Sequence, residues 1–370
     1  MKELLDQLIG FAVEQVPLLG RVPHWVYYLL WMLVAGAVLL VYASLIAGIT
    51  SWVERRIAGR MQARIGPNRV GPRGFFQWIA DGLKSLFKED VTPASADKRL
   101  FRLAPYLVFT GMFGAWAVLP YSARLYAADL NVGILYVMAI TSLVVIGILM
   151  GGWASGNKWG FFGALRSSAQ IVSYEVPAGL AITTAVLLSG TLSMQGMVEA
   201  QSGPLGILGW NIFKSPFAFV AFFVYFIAAI AEGNRTPFDL PEAESELVAG
   251  YNTEYSGMRF VFFFFAEWAN LFLIGAVSAT LFLGGWQGPF ADPNTWWGVM
   301  LGAGYFFGKA CFFVFILIWL RWTLPRLRVD QLMAMCWKYL VPIAFVCLIG
   351  TLLWMSLLGD RDFFGLIAAG

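Results

Sequence analysis

The chain alternates long apolar runs with short polar connections, and the length of the runs is informative before any single residue is. Crossing the roughly 30 Å hydrocarbon layer of a bilayer takes about 20 helical residues. Runs of that order lie at 26–50, 103–121, 132–154, 171–190, 216–231, 260–283, 299–320 and 339–358. The pattern predicts an all-α integral membrane protein, a bundle of about eight transmembrane helices. The fifth run is short and must borrow residues from its Trp210–Ser215 approach or from the polar loop after it. Two other stretches read as interfacial amphipathic helices. In 1–23, Leu4, Leu5, Leu8, Ile9, Ala12 and Val13 outline one, without the basic start, uniform apolar core and small-residue cleavage site of a secretory signal. After Gly74, the residues Phe75, Phe76, Ile79, Leu83, Leu86 and Phe87 recur at helical spacing, with Asp81, Lys84 and Lys88 on other faces.

Composition agrees with membrane residence. Of 370 residues 59% are hydrophobic and 13% charged, and the mean hydropathy is +0.71, far from soluble usage. Residues 1–370 read as a single membrane domain. Cationic loops are retained on the cytoplasmic side. The basic residues concentrate in 51–102 and in the connections after spans three, five and seven, so these face inside and both termini face outside.

Two of the inside loops carry opposite charge. Residues 51–102 hold eleven basic residues against five acidic ones. Retention explains that sign but not the layout, because the two Gly-Pro pairs of Gly66-Pro67-Asn68-Arg69-Val70-Gly71-Pro72-Arg73-Gly74 specify turns. Residues 231–257 set Glu232, Asp239, Glu242, Glu244, Glu246 and Glu254 against Arg235 alone, which retention does not predict. Asp239 with Glu242 forms an Asp-x-x-Glu capping pattern for a helix that Gly250 would stop. Glu242 and Glu246 would share a face of it and repel. Charge alone leaves a solvated acidic face and a functional one equally open.

Four ionisable groups fall in or at the ends of the spans: Glu175, Glu232, Glu267 and Lys309. A charge held in hydrocarbon costs at least about 2.5–3.5 kcal/mol on insertion scales, so each needs a reason. Mutual pairing, for example Lys309 with Glu267, is one; a hydrated relay of carboxylates that exchange protons is the other. Pro177, two residues past Glu175, removes a helical hydrogen bond and frees a carbonyl that could line a wet cavity. The single histidine, His24, stands at the mouth of the first span as a headgroup-level residue. Two-haem quinol chemistry needs paired axial histidines and iron–sulfur clusters need grouped cysteines. Cys311, Cys336 and Cys347 show no such grouping and read as small apolar residues. No metal or permanently bound cofactor is expected here, and electrons must come from a partner.

Several strings resemble the H-type membrane subunit of NADH-quinone oxidoreductase, called NADH dehydrogenase subunit 1 in mitochondria. They are Glu54-Arg55-Arg56 with Gln62-Ala63-Arg64-Ile65-Gly66-Pro67-Asn68-Arg69-Val70-Gly71-Pro72; Gln77 through Ala80-Asp81-Gly82-Leu83-Lys84; and Gln170 through Ser173-Tyr174-Glu175. They continue in Ala231-Glu232-Gly233-Asn234-Arg235-Thr236-Pro237-Phe238-Asp239-Leu240, Glu242-Ala243-Glu244-Ser245-Glu246-Leu247-Val248, Glu254-Tyr255-Ser256 and Arg328-Val329-Asp330-Gln331-Leu332-Met333. The resemblance covers nearly the whole chain. It implies an eight-helix subunit at the heel of respiratory complex I, whose inside loops clamp peripheral-arm soluble subunits bearing the terminal iron–sulfur cluster. FMN and the clusters would reside in those partners, quinone would be the substrate, and small and antiporter-like membrane subunits would lie alongside in the lipid. Nucleic acid has no part.

The resemblance places Glu54, Arg55, Arg64, Asp81 and Arg235 on or near a quinone tunnel. It places Glu175, Glu232, Asp239, Glu242, Glu244, Glu246, Glu267 and Lys309 on a proton path from the quinone cavity into the membrane arm. The expected activity is that of a subunit in a proton-translocating NADH:quinone oxidoreductase, with none expected of the chain alone, in a bacterial plasma membrane or else a mitochondrial inner membrane. The alternatives are a homologous subunit of an energy-converting hydrogenase-type complex, an ion-coupled secondary transporter, for which an internal repeat is lacking, and a structural anchor for the peripheral arm.

Overall fold

The structure, a computed structural model, describes residues 24–203, 206–240, 246 and 248–358. The expected N-terminal amphipathic helix and the acidic positions Glu242 and Glu244 lie outside them, as does the turn that would test the Asp239–Glu242 cap. Two compact units divide the chain, Met1–Ala43 and Ser44–Gly370. The described part of the first is the beginning of helix α1 (His24–Met61), which continues into the second.

In the second unit α2 (Gln77–Phe87) follows, then α3 (Lys98–Ala115), α4 (Gly133–Ala154), α5 (Lys158–Ser189), the short α6 (Met194–Glu199) and α7 (Asn211–Lys214), and α8 (Pro216–Glu232). The last elements are α9 (Gly257–Phe282), α10 (Trp296–Thr323), α11 (Val329–Ala334), a π-helical turn (Met335–Leu340) and α12 (Val341–Leu358). No strand occurs among the described residues. Among the described residues seven helical stretches are long and apolar enough to cross a membrane, and α8, of 17 residues, is the short one that the sequence leads one to expect. The protein is an all-α, multi-pass membrane protein.

Several boundaries differ from expectation because helices outrun their apolar stretches. Helix α1 extends to Met61, so Glu54 and Arg55 stand on a helix rather than in a loop. Helix α5 begins at Lys158, capped by the Asn157 side chain, which accepts from the Trp159 N–H at 3.0 Å. Asp97 caps α3, Ser215 caps α8 and Thr295 caps α10 in the same way, each satisfying N–H groups that the first helical turn leaves over. The amphipathic stretch after Gly74 forms α2, with Leu83, Leu86 and Phe87 exposed.

The second unit packs through small residues, as helices in lipid must when no hydrophobic effect draws them together. At Gly111 a Cβ would lie 2.9 Å from the Ile140 carbonyl oxygen of α4, and at Gly275 2.6 Å from that of Ala310 in α10. Gly275→Val is expected to part α9 from α10 and destabilise the fold by about 1–3 kcal/mol. A lowered midpoint for heat-induced loss of the assembled complex in mild detergent would read it.

Pro177 has no N–H to give the Ser173 carbonyl. That carbonyl does not stay open: the Cys336 thiol of the π turn donates to it at 3.1 Å, and the neighbouring Tyr174 hydroxyl donates to the Leu332 carbonyl at 2.9 Å. The irregular turn in the last span is thereby stitched to the interrupted hydrogen-bond ladder of α5.

Candidate functional site

Two charged centres occur in the second unit, joined by the turn after α8. In the first, the Arg235 guanidinium donates from one terminal nitrogen to both Glu54 oxygens, at 3.3 and 3.4 Å, and its Nε lies 2.9 Å from Glu267 Oε1. Arg321, at the end of α10, donates to Glu54 Oε1 at 2.5 Å. The side chains of Arg235 and Glu54 are 3% and 4% exposed, so these charges have left water and depend on one another. Arg235 also lies over the Trp268 ring, 4.6 Å from its centre. The pairing of Glu267 differs from the one weighed from sequence: its cation is Arg235, not Lys309.

Trp268 has a second neighbour. With Ala47, Gly48, Ser51, Trp78, Phe264 and others it lines a groove of about 180 Å³ between α1, α2 and α9. Arg55 and Asp81 stand in the same lining, 2.5 Å apart, with the Gln77 amide donating to Asp81 at 2.8 Å. Arg64 lies beyond α1, its Nε donating to Gln62 at 2.7 Å. The Gly-Pro loop is pinned beneath: Arg56 donates to the carbonyls of Pro67 and Arg73, and Trp52 Nε1 to that of Arg73. Gly71 and Gly74 both take positive φ in that loop, which explains glycine at each.

The second centre is a cavity of about 80 Å³ lined by α4, α5, α8 and α9. Glu175 and Glu232 both line it, with Thr141, Ser142, Tyr225 and Asn270, and among the described residues no lysine or arginine does. Ser142 donates to Glu175 at 3.1 Å. Two carboxyl groups that line one cavity beside hydroxyl and amide side chains have the partners that proton exchange would require.

The other expected residues that the structure describes line neither the groove nor the cavity. Asp239 pairs with Arg326 at 3.2 Å and Glu246 with Arg166 at 2.5 Å, while Asn157 donates to Glu254 at 2.6 Å. The basic loop is tied to the start of α9, where Arg259 pairs with Asp90 at 2.8 Å and Ser256 Oγ accepts from the Val91 N–H at 3.0 Å. Lys309 donates to the carbonyls of Leu283, Gly285 and Gln287 at 2.6, 2.9 and 2.8 Å and lies over the Trp210 ring. Its acceptors are the residue that caps α9 and the turn that follows it.

Known proteins share this sequence over most of its length. The family model for NADH dehydrogenase matches residues 34–352. The NADH-quinone oxidoreductase H subunit of Anaeromyxobacter dehalogenans is 53% identical over 348 residues, covering 89% of this chain and 84% of the relative. The chain belongs to this family. The H subunit of Chlorobium luteolum is 49% identical, with 95% and 93% coverage, and that of Thermomicrobium roseum 48%, with 87% and 95%.

Membership does not by itself single out Arg321, Trp268, Ser142, Thr141 or Gln170, which the sequence reading did not place among the site residues. Arg321 counted only as an inside-loop charge because α10 runs past the apolar stretch. The adjacent Thr141 and Ser142 within an otherwise apolar span were the available signal for a polar cavity.

Proposed function

We propose that this family member forms much of the quinone site of a proton-pumping NADH-quinone oxidoreductase and passes the energy of quinone reduction into the membrane arm. The observation that carries the reading is Trp268, which lines the aromatic groove on one side and stacks on the buried Arg235 cluster on the other. The groove offers the flat apolar walls that a quinone ring and its isoprenoid tail require, with Arg55 and Asp81 as polar contacts. Quinone arrives laterally from the lipid and is reduced by an iron–sulfur cluster in a peripheral-arm partner. New negative charge in a low-dielectric groove draws compensation from the nearest mobile charges, protons or guanidinium groups. Arg235 sits at the start of that response, and Glu232 stands three residues earlier on the same turn.

From there the path includes Glu175 and Glu267 and the acidic stretch of Asp239, Glu242, Glu244 and Glu246, with Lys309 extending the polar line towards antiporter-like subunits. Arg64 lies at the mouth of the tunnel. The chain acts as one membrane domain with both termini outside, in a bacterial plasma membrane, as the bacterial sources of its relatives favour. Their names also favour NADH over the hydrogenase-type alternative.

The test is Arg55→Met in native membranes. The pair with Asp81 is half-exposed, so the fold should tolerate the change. The apparent KM for quinone is expected to rise about tenfold, with the rate at saturating quinone altered far less. An unchanged KM and unchanged sensitivity to a quinone-site inhibitor would sink the groove as the quinone path.

A further inference from the structure

Gln170 is a buried amide, 1% exposed, on α5. Its nitrogen donates to the carbonyl of Ala231 at 2.7 Å, to that of Phe238 at 2.8 Å and towards Asn234 Oδ1 at 3.2 Å. The Ala231 carbonyl belongs to the last turn of α8, where regular helical donors run out and the Asn234 N–H reaches it at 3.2 Å. One side chain therefore ties the two ends of the turn 231–238 together. Asn234, at the apex with φ +50, returns a bond from its own amide to Ser167 Oγ at 3.2 Å. Helix α5 thus grips this turn through two residues about one helical turn apart.

What the turn carries gives the grip its consequence. Glu232 faces the cavity it shares with Glu175, which lies five residues after Gln170 on the same helix. Arg235 enters the Glu54 and Glu267 cluster on the other side. We infer that Gln170 is a positioning residue that sets the spacing of Glu232 from Glu175 and of Glu232 from Arg235, and so couples the two charged centres. The inference rests on the proposed function above. An apolar isostere takes from both carbonyls the donor they share, leaving each with a local backbone N–H alone, and the two ends of the turn lose their link. A carboxylate in its place would face those same carbonyls with no hydrogen to give unless protonated.

A second buried amide supplies the comparison. Gln201, also 1% exposed, donates to the carbonyls of Met197 and Thr280 and accepts from the N–H groups of Asn211 and Gly284. It ties backbone to backbone as Gln170 does, but among residues that line neither centre.

The experiment compares Gln170→Leu, Gln201→Leu and Glu232→Gln in the whole complex in native membrane vesicles, normalised to assembled complex on a native gel. Quinone reduction and proton uptake are both measured across pH. Gln170→Leu is expected to lower proton uptake per assembled complex about tenfold and to displace its pH profile. Gln201→Leu is expected to lower abundance alone. If Gln170→Leu behaves like Gln201→Leu, with normal pumping and an unmoved pH profile per complex, the positioning role is wrong. If Gln170→Leu does not accumulate, Ser167→Ala, which removes only the bond to Asn234, takes its place. An approximately threefold loss of proton uptake per complex is then expected, and no loss overturns the inference. Normal pumping by Glu232→Gln would instead overturn the carboxylate reading on which this one stands.

Discussion

Arg235→Met is expected to abolish quinone reduction and to remove most of the assembled complex from the membrane. Arg235 faces Glu54 on one side and Glu267 on the other, and Glu54 is 4% exposed. Removing one partner from a buried ion pair costs about 3–5 kcal/mol, because the charge left behind has neither water nor a counter-ion. Arg321 still reaches Glu54, which moderates the loss on that side but leaves Glu267 without its guanidinium contact. Arg235→Lys separates charge from shape. A single ammonium cannot serve both carboxylates and stack on Trp268, so assembly should recover more than turnover does. Abundance on a native gel together with NADH-driven quinone reduction would distinguish the two effects. Wild-type turnover in Arg235→Met would show that the cluster has no part in the reaction.

The second large effect is expected at Glu232. Glu232→Gln keeps the shape of the side chain and its ability to hydrogen-bond, but it can neither release nor take up a proton. If the cavity shared with Glu175 is part of the proton path, proton uptake should fall about 100-fold, the scale on which removal of a positioned acid–base group acts. Whether quinone reduction falls with it reports the tightness of coupling: a tightly coupled machine loses both, and a slipping one keeps reducing quinone. The measurement is dye quenching in inverted vesicles beside the redox rate in the same sample. Full pumping at the normal ratio would exclude Glu232 from the path. Glu175→Gln, within the same cavity, should reproduce the effect, and the double variant should be little worse than either single one, since groups acting as a unit are not additive.

How much of this was legible in the sequence varies from element to element. The spans followed from run length, since only a helix satisfies its own backbone in lipid and about 20 residues are needed to cross. The short α8 and the amphipathic α2 were legible for the same kind of reason, a local period or a local length. Boundaries were less so. Helix α1 continues through charged residues to Met61, and α10 carries Arg321 at its end, because tertiary partners for Glu54 and Arg321 lie where the polar residues would otherwise meet only solvent or lipid.

Family membership was legible too, because long ordered strings such as Ala231-Glu232-Gly233-Asn234-Arg235 survive in sequence whatever the fold does with them. Pairing was not. Nothing local distinguishes Glu267–Arg235 from Glu267–Lys309, since both cations stand far along the chain and the choice depends on which helix faces which. Nor could composition show that Lys309 serves three carbonyls just past the end of α9, or that Cys336 answers the carbonyl that Pro177 leaves bare. The sequence by itself determined that this is a helical membrane protein, which family it joins and which ionisable groups need a reason to be in the membrane. Only the tertiary structure decided which of them meet, because a charge pair or a cavity is made by side chains from separate helices, and their distance apart is set by packing rather than by spacing along the chain.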